Sequence, residues 1–191
     1  EDTGDIGNAY MYKQPDGEKP LTTKGLDAEI RVVQDAPYRA AIEIVHRWAV
    51  PASADERFET EKREAVYFPA RKAKRVAETV PLTIRTLVSL ERGGRGVGIR
   101  VRFDNQAKDH RVRALFPTDL DTPVHRADSV FEVAVRPNEP APEWQNPCNA
   151  QHQQAFVDVS DAAGGLTVAN RGLNEYEVLR DGAGNAITVC N

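Results

Sequence analysis

The chain has 191 residues, of which 40% are hydrophobic and 28% charged, and it carries a formal net charge of −4. This length and composition are typical of a soluble globular domain with its own hydrophobic core, and they argue against disorder and membrane insertion. The negative charge repels a phosphate backbone, so we expect no nucleic-acid partner.

The first part of the chain predicts three strands, at residues 10–12, 28–33 and 38–50. In the longest of them, every second residue from Ala40 to Trp48 lies on one face, and most of these are apolar. His46 belongs to that face. We therefore expect a hydrogen-bonded core histidine there rather than a metal ligand.

Residues 53–66 are the only segment with helical character, because Ser53 and Glu56 have the spacing of a capping box. The segment has almost no apolar stripe, so a surface connection between strands is an equal alternative. The basic run at residues 71–75 is short. Such a run is more often a solvated strand end or loop than a binding patch.

Residues 82–90 and 97–103 alternate apolar and polar side chains, and glycines lie between them, so they predict an antiparallel hairpin. Further strands are predicted at residues 111–116, 131–135, 155–159, 166–169, 176–179 and 186–189. Residues 137–149 are rich in proline and predict a surface loop. Strands at short spacing with few helices favour an all-β fold of two large antiparallel sheets.

The four histidines show no metal-binding spacing, and the glycines at residues 93–98 precede no helix, so no metal or nucleotide motif is present. Cys148 and Cys190 lie 42 positions apart; we expect reduced thiols, although pairing remains open. No signal-like or long apolar segment occurs, which favours a cytoplasmic location and no membrane partner. The chain starts at Glu1, and we expect it to be a piece of a longer protein.

Five stretches, which occur in a fixed order, carry a family resemblance: residues 4–12, 103–118, 127–129 with 136–137, 154–161 and 165–178. Together they resemble the C-terminal domain of glycoside hydrolase family 38 α-mannosidases, especially the bacterial ones. The resemblance implies an antiparallel β-supersandwich of the galactose-mutarotase-like type. It further implies that residues 1–191 form a single β-sandwich domain, a fragment of a longer α-mannosidase.

The activity that the resemblance implies is retaining hydrolysis of terminal α-mannosides, through an Asp nucleophile, a second carboxylate and a zinc ion. Those groups belong to a catalytic domain absent from this sequence. We therefore assign no catalytic residue, metal ligand or cofactor to the chain, and we expect the isolated fragment to be inactive. Its expected partners are that catalytic domain and mannose-containing glycans, and homo-oligomerisation is left open.

Three residues are candidates for contact with the sugar. The resemblance points first to Tyr10, whose phenol could hydrogen-bond a sugar hydroxyl or the nucleophilic carboxylate; a half-buried core or interface tyrosine is an equal alternative. Arg171 and Glu175 come second, in a polar segment whose residue types also suit an ordinary turn. Residues 109–111 are expected to brace the sandwich through bonds from side chain to backbone.

Two other functions are compatible with the all-β pattern alone. One is a stand-alone carbohydrate-binding or interaction module. The other is an aldose-epimerase-like enzyme, which needs a histidine and a carboxylate facing each other within reach of one sugar ring.

Overall fold

Antiparallel strands dominate the structure, a computed structural model that describes residues 1–139 and 149–190. The chain divides into two compact units, Glu1–Arg111 and Val112–Asn191. The first contains β1 (Asp2–Gly4), β2 (Ala28–Ala36), β3 (Arg39–Pro51), α1 (Glu56–Arg63), a 3-10 turn (Phe68–Ala70), β4 (Thr79–Glu91), β5 (Val97–Arg102) and the start of β6 (His110–Val112). The second contains β7 (Ala114–Pro117), β8 (Val124–Ser129), β9 (Glu132–Pro137), β10 (Gln151–His152), β11 (Phe156–Ser160), β12 (Gly165–Ala169), β13 (Glu175–Arg180) and β14 (Ala186–Cys190).

A four-stranded antiparallel sheet in the order β2-β3-β4-β5 forms the larger part of the first unit. Tight turns connect β2 to β3 and β4 to β5, whereas α1 and the 3-10 turn lie in the connection between β3 and β4. The turn between β4 and β5 contains Gly93 with a φ of 74°, which glycine adopts without strain. The strands predicted at residues 28–33 and 38–50 and the hairpin predicted at 82–103 are confirmed.

Helix α1 packs beside the start of the chain. Its Phe58 lies in a buried cluster with Ile6, Ala54 and Ala73. The contact of Phe58 with this cluster stabilises a helix that is otherwise polar. Asp55 occupies the N-cap position without a side-chain capping bond. The capping box predicted at Ser53 is therefore wrong; the Ser53 hydroxyl donates to the Ala54 carbonyl instead.

A buried network of charged groups holds the chain's first residues. Asp2 is fully buried, and its two carboxylate oxygens accept bonds at 2.6 Å from Arg75 Nη2 and from His110 Nδ1. Arg75 also contacts Glu18 at 3.1 Å, and Glu18 accepts the backbone N–H of Gly4. These bonds connect four segments that are distant in sequence.

The same network corrects the expectation for the basic run at residues 71–75. The side chain of Arg75 is only 5% exposed, and Arg71 is also buried. Both arginines are enclosed because buried oxygen acceptors elsewhere in the unit compensate their charge. The run is therefore mainly structural, with Lys72 at its exposed side bonded to Asp16.

The second unit is a sandwich of two four-stranded antiparallel sheets, β10-β13-β14-β7 and β12-β11-β8-β9. One buried cluster joins them, with Val157 and Val159 from one sheet and Tyr176, Val178 and Cys190 from the other among its members. The hairpins β11–β12 and β13–β14 confirm two predictions. Cys190 is a buried free thiol, whereas Cys148 lies outside the described residues.

The prediction of an all-β, antiparallel fold is confirmed. The strand predicted at residues 10–12 is wrong, since these residues lie in a bend and loop outside every strand. The strand predicted at 111–116 is divided at Arg113, and most of the predicted loop at 137–149 lies outside the described residues. That residues 1–191 form one domain stays a prediction. Within the described part of the chain, no helix has the length and apolar character needed to cross a membrane.

We predict that Arg75→Met lowers the free energy of unfolding by roughly 3 to 5 kcal/mol, because it leaves the buried Asp2 carboxylate without its arginine partner. Urea unfolding measures the change. The matched control is Arg47→Met, which breaks the exposed Arg47–Glu29 pair and should cost about 1 kcal/mol or less. A loss for Arg75→Met as small as the control's would contradict the role of the network.

Candidate functional site

Tyr10 projects from a short loop of the first unit, residues 5–13, and its side chain is 92% exposed. Asn8 shapes the tip of the loop. Its Oδ1 accepts the backbone N–H groups of Tyr10 at 2.8 Å and of Met11 at 2.9 Å, and its own N–H donates to the Met11 carbonyl. Short polar side chains stabilise turns in this way, so the backbone that carries Tyr10 is well defined.

The base of the loop is held by Asp5. Its Oδ1 accepts the N–H of Gly7 at 2.8 Å and of Lys13 at 3.2 Å, and Ile6 N donates to the Lys13 carbonyl. Gly7 is required by space, because a Cβ there would lie 1.9 Å from the Met11 carbonyl oxygen. The two halves of the loop thus approach too closely for any other residue at position 7.

Buried Arg71 supports the loop from inside the unit. Its Nη1 donates to the carbonyl of Ile6 at 3.0 Å and to the carbonyl of Gly7, and its Nε donates to the carbonyl of Val66. The guanidinium carbon also lies 5.5 Å from the Phe58 ring centroid. A planar cation with several donors is suited to fix backbone carbonyls. Tyr10 is therefore exposed on a loop that is braced, not loose.

Tyr12 has a different environment from Tyr10. Its hydroxyl donates to Thr3 Oγ1 at 2.9 Å, and the Arg111 guanidinium lies 4.5 Å from its ring centroid. Tyr10 and Tyr12 therefore do not share one face of the loop. Tyr12 packs within the unit, and Tyr10 faces outward.

Arg171 and Glu175 belong to the second unit, where they flank the loop between β12 and β13, and both are exposed. Asn170 Oδ1 accepts the N–H of Leu173, and Gly172 has a φ of 93°, so the polar residues here partly serve turn chemistry as expected. The structure places these two residues together at one loop. Tyr10 lies in the other unit.

The prediction for residues 109–111 is confirmed in part. Asp109 Oδ2 accepts the backbone N–H of Ala54 at 3.2 Å, which is the predicted bond from side chain to backbone. His110 instead bonds to two side chains, those of Asp2 and Asn105.

A groove of about 430 Å³ opens on the second unit. Polar side chains dominate its lining, which comprises Asp128, Ser129, Val130, Arg136, His152, Gln153, Gln154 and Asn174. Neither Arg171 nor Glu175 lines it. Arg136 connects the groove to the interior, since its Nη1 donates to the His152 carbonyl at 2.6 Å and to the Tyr176 hydroxyl oxygen at 3.0 Å.

Behind Arg136, a chain of hydrogen bonds fixes the proton of a buried histidine. His125 Nδ1 lies 2.8 Å from Asn138 Oδ1 and His125 Nε2 lies 2.6 Å from the Tyr176 hydroxyl. Asn138 Nδ2 already donates to the Thr122 carbonyl, so its oxygen must accept from Nδ1, and Nε2 accepts from Tyr176. Burial lowers the pKa of the His125 imidazole, which favours this neutral form.

Sequence reasoning missed this histidine and favoured His46, which is only half-buried. The usable signal was the order His125-Arg126-Ala127, in which every second residue would share one face of a strand. The structure places these residues in β8 and buries His125 and Ala127. Within residues 1–139 and 149–190, no three or more His, Cys, Asp or Glu side chains form a group that could hold a metal ion. The residues described here therefore do not fit a zinc site.

The comparisons with known proteins agree with one another. The family model "Glycosyl hydrolases family 38 C-terminal domain" matches residues 1–189. A curated protein of Halalkalibacterium halodurans, "Putative mannosylglycerate hydrolase", is 44% identical over 181 residues, which are 95% of this chain and 20% of that protein.

Two solved structures from Enterococcus faecalis are also similar. An α-mannosidase matches with a TM-score of 0.94 and 42% identity, over 100% of this chain and 21% of its own length. A protein of glycosyl hydrolase family 38 matches with a TM-score of 0.90 and 42% identity, over 99% of this chain and 22% of its own. The chain thus spans 20% to 22% of the length of these three proteins.

We predict that the stability of the protein falls as the pH drops below about 6.5, the ordinary pKa of histidine. Above that pH, His125 is neutral in both folded and unfolded chains. Below it, the imidazole of the unfolded chain binds a proton, whereas the buried imidazole stays neutral until the pH falls below its lowered pKa. Acid therefore favours the unfolded state. Urea unfolding at pH 7.5 and pH 5 measures the difference.

The variant His125→Gln isolates this effect. It should be less stable than wild type at pH 7.5 but lose less stability between pH 7.5 and pH 5. The control His152→Gln changes an exposed ring and should keep the wild-type pH dependence. An unchanged slope in His125→Gln would show that other groups cause the acid sensitivity.

Proposed function

Because this chain belongs to the glycosyl hydrolases family 38 C-terminal domain family, we propose that it is the non-catalytic β part of a longer, retaining α-mannosidase. The observation that carries the proposal is the family match over residues 1–189. The names of two relatives, an α-mannosidase and a mannosylglycerate hydrolase, share a mannosyl substrate. Terminal α-mannosides are accordingly the substrates that we propose for the whole enzyme.

We place the reacting groups of this enzyme outside residues 1–191. Retaining hydrolysis needs two carboxylates on opposite sides of the glycosidic bond, one as nucleophile and one as acid and base. The zinc ion that the family resemblance implies would likewise be held by residues outside those described here. The role left to this chain is to support the catalytic part and to add side chains to the sugar pocket.

Tyr10 is the side chain that we propose for the pocket. Its phenol is exposed, while Asn8, Asp5 and Arg71 fix the loop beneath it. A braced loop loses little conformational entropy when its side chain binds. The hydroxyl could then donate to a sugar hydroxyl or to the catalytic carboxylate of the partner domain, where such a bond is strong.

Arg171 and Glu175 are proposed as secondary contacts to a mannose-containing glycan. Support for them comes from exposure and residue type, since guanidinium and carboxylate groups make paired hydrogen bonds to sugar hydroxyls. A cytoplasmic location stays a prediction, and homo-oligomerisation stays open.

An aldose-epimerase-like function has less support. It needs a histidine and a carboxylate that both reach the substrate. The structure contains such a pair, His110 and Asp2 at 2.6 Å, but both side chains are at least 96% enclosed. A free carbohydrate-binding module is also disfavoured, because it would not explain relatives about five times longer that match throughout this chain.

We predict that Tyr10→Phe in the full-length enzyme lowers kcat/KM for an aryl α-mannoside and leaves thermal stability unchanged. The ring keeps its shape, and the lost hydrogen bond is worth about 0.5 to 3 kcal/mol, or roughly 2-fold to 100-fold in kcat/KM. Steady-state kinetics and a thermal melt measure the two effects.

Tyr12→Phe is the matched control on the same loop. It removes the bond to Thr3, so it should lower stability by about 1 kcal/mol and leave kcat/KM near wild type. If Tyr10→Phe has wild-type kcat/KM, the pocket role of Tyr10 is wrong. If it loses stability and activity together, its hydroxyl serves an interface between domains.

A further inference from the structure

The groove on the second unit, which we call the β8 groove, is lined by residues 128–130, Arg136, residues 152–154 and Asn174. Within residues 1–139 and 149–190, no hydrogen bond or ion pair is made by the side chains of Asp128, Ser129, His152, Gln154 and Asn174. Unpaired polar groups that converge on a space of about 430 Å³ fit a small-molecule site, since such sites measure roughly 300 to 1,000 Å³.

Gln153 is the buried side chain of the β8 groove, with an exposure of 4%. Its backbone N–H donates to the Asn174 carbonyl at 2.9 Å, and its Nε2 donates to the Leu173 carbonyl at 3.2 Å. Its Oε1 is also buried, yet within the described part of the chain no group donates to it. Buried polar oxygens are normally paired. The groove therefore contains an acceptor that needs a donor from outside the described residues.

The chemistry of the lining favours a neutral ligand with several hydroxyl groups. Asp128 and Arg136 carry opposite charges, and Arg136 is already bonded to the His152 carbonyl and the Tyr176 hydroxyl. The Asp128 carboxylate only accepts hydrogen bonds, whereas the amides of Gln154 and Asn174 both donate and accept. A hydroxyl group also donates and accepts, so one sugar ring matches this set of groups.

An exposed aromatic residue directly follows the lining. Val130 and Phe131 form the turn between β8 and β9; Val130 lines the groove, and Phe131 is 104% exposed. Phe131 has a φ of 65°, which a bulky residue adopts only at an energetic cost. Strained residues of this kind cluster at binding sites. The Phe131 ring offers an apolar surface to the C–H face of a sugar.

We propose that the β8 groove binds a neutral saccharide. The two oxygens of Asp128 accept from adjacent sugar hydroxyls, the amides of Gln154 and Asn174 bond to others, and Phe131 packs against the ring. Mannose as the type of sugar rests on the proposed function, whereas the site rests on the unpaired groups of the groove. Tyr10, Arg171 and Glu175 do not line this groove, so the site adds to the contacts proposed above.

Hydrogen exchange in the full-length protein tests this site. The probe is α-mannobiose with sulfur in place of the glycosidic oxygen, which resists hydrolysis. Mass spectrometry of peptides measures the exchange rate as the probe concentration rises, and this dependence gives a Kd for each region. We expect saturating probe to slow exchange at least about 3-fold at residues 128–132 and 151–155, because a bound ligand opposes local opening.

Two variants assign the binding to the β8 groove. Asp128→Asn should raise the Kd at residues 128–132 at least about 10-fold, because it weakens hydrogen bonds to a charged group. Phe131→Gly should also raise that Kd without lowering the melting temperature, since glycine adopts a positive φ freely. The matched control Asp121→Asn removes an exposed carboxylate of the same unit outside the groove, and it should keep the wild-type Kd.

Three results would overturn the inference. The first is a probe that slows exchange at residues 5–13 and not at the β8 groove. The second is exchange at the groove that is equally slow with and without probe, because another part of the polypeptide then fills it. The third is a wild-type Kd in both Asp128→Asn and Phe131→Gly. Exchange needs no turnover, so groove binding in a protein that cleaves no α-mannoside would refute the proposed function alone.

Discussion

The buried carboxylate of Asp2 is the interaction on which the first unit depends. It accepts bonds from Arg75 and His110, so it connects the start of the chain to segments 73 and 108 residues away. A carboxylate out of water is tolerated only with such partners, which means that the three segments must come together for any of them to be buried. The loop that carries Tyr10 begins directly after this anchor.

That anchor explains how an exposed tyrosine can have a defined position. Asp2 fixes the chain before the loop, and Arg71 fixes the carbonyls of Ile6 and Gly7 within it. Tyr10 is left as the outward end of a rigid support. Such preorganisation is what a residue needs if it completes a site built mainly by another domain. The second unit is stabilised differently, through an apolar core and the neutral, hydrogen-bonded His125.

Local pattern predicted most strands, because alternation and glycine turns act over a few residues, as in the hairpin from Leu82 to Val101. It did not predict the surroundings of charged side chains. Arg71 and Arg75 are adjacent to lysines in sequence, yet their partners lie far along the chain. Alternation likewise shows which side chains share one face of a sheet. It does not show whether other residues cover that face, and Ile99 in β5 is about half exposed. The role of Tyr10 as a sugar contact was predicted from the family resemblance. The geometry of its loop could be seen only in the structure.

We propose that this chain belongs to a mannosidase whose catalytic groups lie elsewhere in the polypeptide. The most direct measurement compares the purified full-length protein with the purified 191-residue chain, on an aryl α-mannoside and on mannosylglycerate, with and without added zinc. We expect turnover of at least one substrate by the full-length protein and none by the 191-residue chain, because a scaffold without nucleophile and acid offers no route to the oxocarbenium-like transition state. Turnover that copurifies with the 191-residue chain, or a full-length protein inactive on both mannosides, would contradict the account.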